Sequence, residues 1–185
     1  MKKQFLAILF AMPFLPPSAA AQPLHFGLRG GFALQDVIDS RGNLRAASQH
    51  WTLGPTAELS LPFGFAAGMD ILYRRLAYED PRESTANSWT VPILLKYYLP
   101  GEGARYYLEA GPTFRTLGNL PRLEGNATKG FALGGGVRFG AGPVRFSMGL
   151  RWSRYGEGRS GDPNRPAGWF VTKQNQADLL FGLTF

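Results

Sequence analysis

The two histidines are the first residues to consider for catalysis, because imidazole is the usual acid–base group near neutral pH. A hydrolase or an acyltransferase holds such a base against a nucleophilic hydroxyl or thiol. The chain has no Cys, and His25 has no Ser two residues away on its own face. His50 follows Ser48 and Gln49 at the edge of a polar segment, at the far end of the next predicted strand. The sequence therefore predicts no catalytic site.

The candidate metal ligands are limited to one acidic cluster. Glu79, Asp80 and Glu83 carry the oxygen atoms that Ca²⁺ prefers. Arg82 lies within the cluster, so a solvated loop is the expected role of these residues. With no Cys and no pair of histidines at ligand spacing, zinc is not expected either. We expect the protein to use no metal and no cofactor.

Ten charged residues share another property, because each lies on the polar face of a segment in which apolar and polar residues alternate. A period of two is typical of a β-strand, whose successive side chains point to opposite sides. Eight such segments recur, at residues 24–34, 50–61, 65–74, 89–99, 105–115, 130–139, 144–153 and 174–185. The ten charged residues are Arg29, Glu58, Asp70, Arg74, Lys96, Glu109, Arg138, Arg145, Arg151 and Asp178.

The connections between the eight segments alternate between long and short. Residues 61–64, 100–103 and 140–143 have the composition of tight turns, whereas residues 35–48, 77–87, 116–128 and 154–173 are long and polar. An even number of antiparallel strands with this layout is typical of an outer-membrane barrel. Closure is required because lipid offers no hydrogen-bond partner to an open sheet edge. The predicted fold is all-β: an eight-stranded antiparallel up-and-down transmembrane β-barrel.

The aromatic residues of the apolar faces fall into two rows, as in the interfacial girdles of membrane barrels. One row lies near the predicted short turns, and the other lies near the long loops. The short-turn row contains Phe26, Phe65, Tyr97, Tyr106, Phe139, Phe146 and Phe185, and the long-loop row contains Phe32, Trp51, Tyr73, Trp89, Phe114, Phe131 and Trp152.

A soluble lipocalin-like barrel is the alternative, because it also has eight alternating strands but is apolar inside. The polar faces here combine charges with glycines such as Gly68, Gly134 and Gly182. A narrow eight-stranded interior accommodates long charged side chains only beside small neighbours. This combination favours polar residues inside and apolar residues toward lipid. On this reading, an Arg at Leu59, Ile71, Ile93 or Leu133 is expected to cost more stability than Thr56→Arg.

Three stretches carry a resemblance to a known family: residues 91–98 (VPILLKYY), 107–112 (YLEAGP) and 131–139 (FALGGGVRF). They resemble the bacterial outer membrane protein beta-barrel domain family, which includes small OmpA/OmpX-type and PorT-like barrels. The terminal Phe185, which follows alternating apolar residues, is similar to the signal by which such barrels reach the outer-membrane assembly machinery. The resemblance implies a fold and a location, and it carries no activity.

The N-terminus has the form of a secretory signal peptide. Lys2 and Lys3 precede an apolar run, and residues 18–21 are small. We predict a signal peptide at residues 1–21 and a barrel domain at residues 22–185. The formal net charge is +7, and removal of Lys2 and Lys3 leaves about +5. The basic residues form no cluster, so nucleic acid is not an expected partner.

The expected role is that of a non-enzymatic structural or surface-interaction protein of the bacterial outer membrane. The expected partners are outer-membrane lipid and lipopolysaccharide, the assembly machinery and an external ligand of the long loops, and we expect a monomer. A narrow porin-like channel and a lipid-modifying enzyme are the alternatives.

The charged residues inside are expected to pair across the lumen, because a lone charge is strongly disfavoured where little water is present. Asp178 is expected near Arg29 or Arg151, whose strands flank the last one. The basic excess is expected at the mouths. Pro55, Pro92 and Pro112 each lack a backbone donor, which predicts bulges or strand ends.

Overall fold

The computed structural model describes residues 24–35, 38–40, 45–48, 50–80, 82–101, 103–118, 123–124, 128–141, 144–156, 170–172 and 174–185. The predicted signal peptide, residues 1–21, lies outside these ranges. Within them the chain forms β-strands and one short 3₁₀ turn, Pro62–Gly64. No helix in this part of the chain is long and apolar enough to cross a membrane.

The strands follow one another as the alternating sequence pattern predicts, with short additional strands in the long connections. In chain order they are β1 (Leu24–Ala33), β2 (Ile38–Ser40), β3 (Arg45–Ser48), β4 (Trp51–Ser60), β5 (Phe65–Asp70), β6 (Leu72–Asp80), β7 (Arg82–Tyr98), β8 (Arg105–Gly118), β9 (Leu123–Glu124), β10 (Lys129–Ala141), β11 (Val144–Tyr155), β12 (Phe170–Thr172) and β13 (Asn175–Thr184).

The main sheet closes on itself. Its barrel strands pair antiparallel in the order β1, β13, β11, β10, β8, β7, β5 and β4, and β4 pairs again with β1. β6 continues β5 after Ile71 and pairs with the same neighbours in the same register. Because β5 and β6 together make one barrel strand, the barrel has eight strands, and the fold prediction is confirmed.

The two faces of the sheet differ as the alternation indicates. Side chains of one face are buried inside the barrel, including Arg29, Glu58 and Lys96. Those of the other face are exposed, including Leu53, Ile93 and Leu150. This assignment is that of a membrane barrel rather than that of a lipocalin, whose apolar residues face inward.

The exposed aromatic residues form contacts within each of the two rows. At the long-loop end, the ring of Tyr73 lies 6.3 Å from that of Trp51 and 5.0 Å from that of Trp89. At the short-turn end, Phe65 and Tyr97 lie 5.0 Å apart between ring centroids. These are distances typical of aromatic pairs.

The three strand prolines cause neither bulges nor strand ends of their own. Pro55 and Pro92 lie inside β4 and β7, and the register is the same on both sides of each. Pro112 lies inside β8 opposite Phe131. The interruption falls instead on a neighbouring strand at Ile71, whose N–H donates to the carbonyl of Pro55 at 3.0 Å. The prediction of bulges or strand ends at the prolines was wrong, because each of the three strands keeps one register with its neighbours on both sides of its proline.

The long connections contain structure of their own beyond the barrel. β6 and β7 continue as a hairpin as far as the pair Asp80 and Arg82, and β3 pairs with the outer part of β6. A separate three-stranded sheet joins β2, β12 and β9, which come from three different long connections. Backbone hydrogen bonding therefore links these connections to one another.

Candidate functional site: the charged lumen

Four side chains in the middle of the lumen form a closed ring of alternating charge. The guanidinium of Arg29 lies 3.1 Å from the carboxylate of Asp70 and 3.7 Å from that of Glu109. Arg151 lies 2.8 Å from the same Asp70 and 2.7 Å from the same Glu109. Thr56 Oγ1 donates a further hydrogen bond of 2.6 Å to Asp70. Each buried charge thus faces two of opposite sign, which is the condition for a tolerable buried ion pair.

A second group lies toward the short turns and centres on Glu58. Lys96 Nζ donates to its carboxylate at 2.8 Å, and Arg138 Nη1 does so at 2.5 Å. The hydroxyl of Tyr98 donates to the same carboxylate at 2.9 Å, and its ring lies 3.6 Å beneath the guanidinium carbon of Arg138. Lys96 also lies 4.0 Å from Glu109, so this group continues into the central ring.

A third group lies toward the long loops. Arg74 Nη2 donates to Asp178 at 2.5 Å, and Gln176 donates to the other oxygen of that carboxylate at 2.8 Å. Nearby, Arg115 stacks on the ring of Tyr155 at 3.9 Å. Because cations of this kind are attracted to an aromatic face, the stack is favourable in a dry interior.

The observed partner of Asp178 corrects the expected pairing with Arg29 or Arg151. Its backbone does lie directly opposite Arg151 in the β11–β13 register. Its carboxylate nevertheless contacts Arg74, which reaches it from β6 on another part of the wall. An arginine side chain is long enough to span this narrow lumen, so the adjacent strand does not determine the partner.

Arg145 is the one predicted network residue that contacts no carboxylate among the described residues. Its Nη1 lies 2.6 Å from Nε2 of His25. Because a guanidinium only donates, this nitrogen of His25 must be the acceptor of a neutral ring. The other nine predicted residues each contact a residue of opposite charge. Each of the eight barrel strands contributes at least one of them. We call this interior network the charged lumen.

Small residues provide the room that these long side chains occupy. A Cβ at Gly68 would lie 3.0 Å from the Lys96 side chain, and one at Gly134 would lie 2.9 Å from the Glu109 carboxylate. A Cβ at Gly149 would lie 2.5 Å from the Tyr107 hydroxyl. Between the central ring and Asp178 a cavity of only about 10 Å³ remains, which is near the limit for a single water.

Among the described side chains, neither histidine faces a nucleophilic hydroxyl. The ring of His25 faces Arg145 rather than a Ser hydroxyl. His50 lies level with Ala33, whose N–H donates to its carbonyl. Ala33 is eight residues along β1 from His25, a separation of about 26 Å. Over the described residues, no three His, Cys, Asp or Glu side chains converge on a metal position. The side chains of Glu79, Asp80 and Glu83 lie outside the described part.

Phe185, the predicted assembly signal, lies at the short-turn rim beside β1. Its N–H donates to the carbonyl of Phe26 at 2.9 Å, and the N–H of Phe26 donates back at 3.2 Å. Its side chain is exposed on the lipid-facing side. The last residue therefore completes the seam between the first and last strands.

The lumen also uses side chains that were absent from the predicted set. Arg115 is fully buried, and its position on a polar face, at an even spacing from Glu109, was a signal for it. Tyr98 and Tyr107 lie on polar faces as well, but tyrosine is common on both faces of a barrel. Tyr98 donates to Glu58 and stacks under Arg138, and the ring centroid of Tyr107 lies 5.7 Å from Lys96 Nζ. These contacts depend on which charges lie across the lumen, which the sequence does not indicate.

A closed antiparallel barrel with a polar interior and an apolar exterior girdled by aromatics defines an outer-membrane-type β-barrel. The chain belongs to the family described as the outer membrane protein beta-barrel domain, whose profile matches residues 5–185. The family resemblance noted from the sequence is thereby confirmed, and membership assigns the chain to the outer membrane.

One solved structure shares the fold at a TM-score above 0.5, and two more match with lower scores. Neisserial surface protein A (NspA) is 13% identical, with 87% of this chain and 95% of that chain covered at a TM-score of 0.54. The N-terminal β-barrel domain of Pseudomonas aeruginosa OprF is 15% identical, with 89% and 98% covered at 0.43. The Yersinia pestis outer membrane protein Ail is 13% identical, with 88% and 100% covered at 0.44. No curated protein matches the sequence significantly.

Proposed function

We propose that the protein is a closed, non-enzymatic barrel that acts as a rigid membrane scaffold for the structure carried by its long connections. The observation that carries this proposal is the charged lumen, in which ion pairs cross the barrel at three depths: Arg74–Asp178, Arg151–Asp70 and Arg138–Glu58. A side-chain network of this density leaves no continuous water path through the middle. A barrel closed in this way acts through its exposed surfaces rather than by transport through its lumen.

The long connections are the proposed recognition surface. The sheet of β2, β12 and β9 joins three of them by backbone hydrogen bonds, which favours a defined surface over independent loops. Arginines are frequent in these connections, at Arg41, Arg45, Arg82, Arg122, Arg154, Arg159 and Arg165. Guanidinium groups suit phosphate-bearing partners such as lipopolysaccharide. Of these residues, only the side chain of Arg154 is described, and it is exposed.

The conductance of the purified barrel in planar lipid bilayers tests the closed lumen. We expect the wild type to stay near the bare-bilayer baseline. Glu58→Ala combined with Lys96→Ala removes a bonded pair together and should raise the conductance, whereas Leu59→Ala on the lipid face of the same strand should not. Steady unitary steps from the wild type would support the porin-like channel instead.

Two further measurements address the surface role and the absence of an enzymatic one. Binding to lipopolysaccharide vesicles should fall when the long connections are trimmed to tight turns, with the barrel itself still folded. Incubation with labelled phospholipid or lipid A should return the substrate unchanged. A modified lipid product would favour the lipid-enzyme alternative, for which His25 and His50 offer no paired nucleophile in the described structure.

A further inference from the structure

The short-turn mouth of the barrel contains an open cavity that the scaffold role does not use. It has a volume of about 430 Å³ and is lined by Arg105, Arg138 and Arg145, together with Gly101 and Gly103 of the β7–β8 turn. This volume lies within the range typical of small-ligand sites. The described lining residues include three cations and no carboxylate.

The positions of these arginines are unfavourable in the absence of an anion. Arg105 and Arg138 are direct cross-strand partners in the β8–β10 register, and like charges in such positions repel. Arg138 shares its one carboxylate, Glu58, with Lys96 and Tyr98. Arg105 contacts no carboxylate among the described residues, and Arg145 contacts the neutral His25. Among the described residues, Arg105 and Arg145 therefore have no carboxylate partner.

The cavity also has the donors that a tetrahedral anion requires. Arg138 is held from below by Glu58 and by the ring of Tyr98, so its position is fixed before any ligand arrives. Arg145 is held on the other side by His25. Guanidinium groups present planar sets of N–H donors that match phosphate oxygens. A preorganised set of this kind binds with a smaller entropic cost than free side chains.

We propose that this cavity binds a phosphate monoester dianion at the short-turn mouth, which in outer-membrane barrels faces the periplasm. The charge favours this class: Arg105 and Arg145, the two cations with no carboxylate contact among the described residues, match an anion of about −2, the charge of a phosphate monoester near pH 7. A carboxylate would neutralise only one of them. The same phosphate chemistry occurs in soluble compounds and in lipids whose headgroup is a phosphomonoester. The inference is independent of the scaffold role and of the external loops.

Calorimetric titration of the full chain in phosphate-free maltoside micelles tests the site, with inorganic phosphate, short-chain phosphatidic acid and acetate as probes. We expect phosphate to bind roughly tenfold or more tightly than acetate, and equal binding would overturn the proposal. Phosphatidic acid that binds far more tightly than phosphate would identify the lipid as the source. Comparable binding of the two would identify a soluble compound. Both results support the site.

Matched variants decide whether the cavity is responsible. Arg105→Gln combined with Arg145→Gln should weaken phosphate binding by roughly tenfold or more, and Arg105→Lys with Arg145→Lys should retain part of it. Arg154→Gln, which removes an exposed cation at the other end of the barrel, should leave it unchanged. Unaltered binding in the double glutamine variant, with its heat-dependent gel shift intact, would overturn the assignment.

A last variant excludes an occupant from the chain itself. The sequence places Glu102 between Gly101 and Gly103 in the turn beside the cavity. If phosphate binds the wild type and Glu102→Gln equally, the cavity is open to an external anion, as proposed. If only Glu102→Gln binds, the carboxylate of Glu102 is the native occupant, and the proposal is wrong.

Discussion

In the middle of the lumen, Arg29 and Arg151 are only 4% and 3% exposed, and each contacts both Asp70 and Glu109. At the short-turn mouth, Arg105 is exposed and Arg145 half-buried, and neither contacts a carboxylate among the described residues. The two regions use the same residue type and differ in access to water. Where water is excluded, each positive charge is matched; where water enters, the basic excess collects.

This difference indicates how a barrel with a basic composition tolerates so many charges inside. The cost of burying an ion is several kcal/mol unless partners replace its hydration. Salt and water screen charges at the mouth instead. The middle of the lumen should therefore depend strongly on its ion pairs, whereas the mouth should depend weakly on any single charge and respond to salt.

The largest effect is expected from deletion of Phe185, because both regions form only when the barrel closes. The deletion removes the two hydrogen bonds with Phe26 and a rim aromatic at the seam. We expect slow or failed insertion and loss of the heat-dependent gel shift. Phe26→Ala removes an equivalent rim aromatic and is expected to have a smaller effect. Normal insertion after the deletion would contradict an assembly role for the last residue.

Asp70→Ala is expected to cause the largest loss of stability in a barrel that still assembles. It leaves Arg29 and Arg151 facing a single carboxylate, and breaking a buried pair costs about 3–5 kcal/mol. Asp178→Ala should also destabilise the barrel markedly, though less, because it removes one ion pair, with Arg74, and one hydrogen bond, from Gln176. Denaturant unfolding in lipid vesicles measures both. An Asp70→Ala barrel as stable as the wild type would contradict a tightly paired interior.

An arginine introduced on the lipid face and one introduced on the inner face near the mouth test which face contacts lipid. Leu133→Arg, on the outer face of β10, should cost about 2–4 kcal/mol at the membrane midplane. Ser60→Arg, inward and near the short-turn mouth, should cost less, because water reaches it. Equal costs by vesicle unfolding would contradict the orientation of the two faces.

The structure changes the expectation for Thr56→Arg. From the sequence, this substitution on the inner face was expected to cost less stability than an arginine on the lipid face. Thr56 is 4% exposed and donates to Asp70 inside the central ring. An arginine at this position would lose that bond, add a third cation and overfill the site. We now expect Thr56→Arg to be costly as well. The stability cost of an introduced charge therefore depends both on the face that carries it and on its depth along the lumen.

The sequence was sufficient for the fold because a period-two pattern states directly which side chains share a face. Strand number, closure and the two aromatic rows follow from that pattern and from the connection lengths. The ion pairs inside the lumen could not be predicted from the same pattern. Asp178 lies beside Arg151 in register yet contacts Arg74, because the choice depends on the stagger of distant strands and the reach of flexible side chains.

The smallest effect on stability is expected from Arg145→Gln, a substitution that changes only the short-turn mouth. Arg145 contacts neutral His25 and lies on the same cavity as Arg105 and Arg138, so its removal loses one hydrogen bond and relieves repulsion. Surface changes of this kind usually alter stability by less than about 0.5 kcal/mol. Arg151→Gln, in the central ring, removes contacts to two carboxylates and should cost several times more.

Vesicle unfolding at low and high salt measures the stability of both variants. Salt should reduce the difference in stability between Arg145→Gln and the wild type. It should leave the cost of Arg151→Gln nearly unchanged. If Arg145→Gln cost as much as Arg151→Gln and were insensitive to salt, the mouth would be as dry as the middle, and the contrast between the two regions would be wrong.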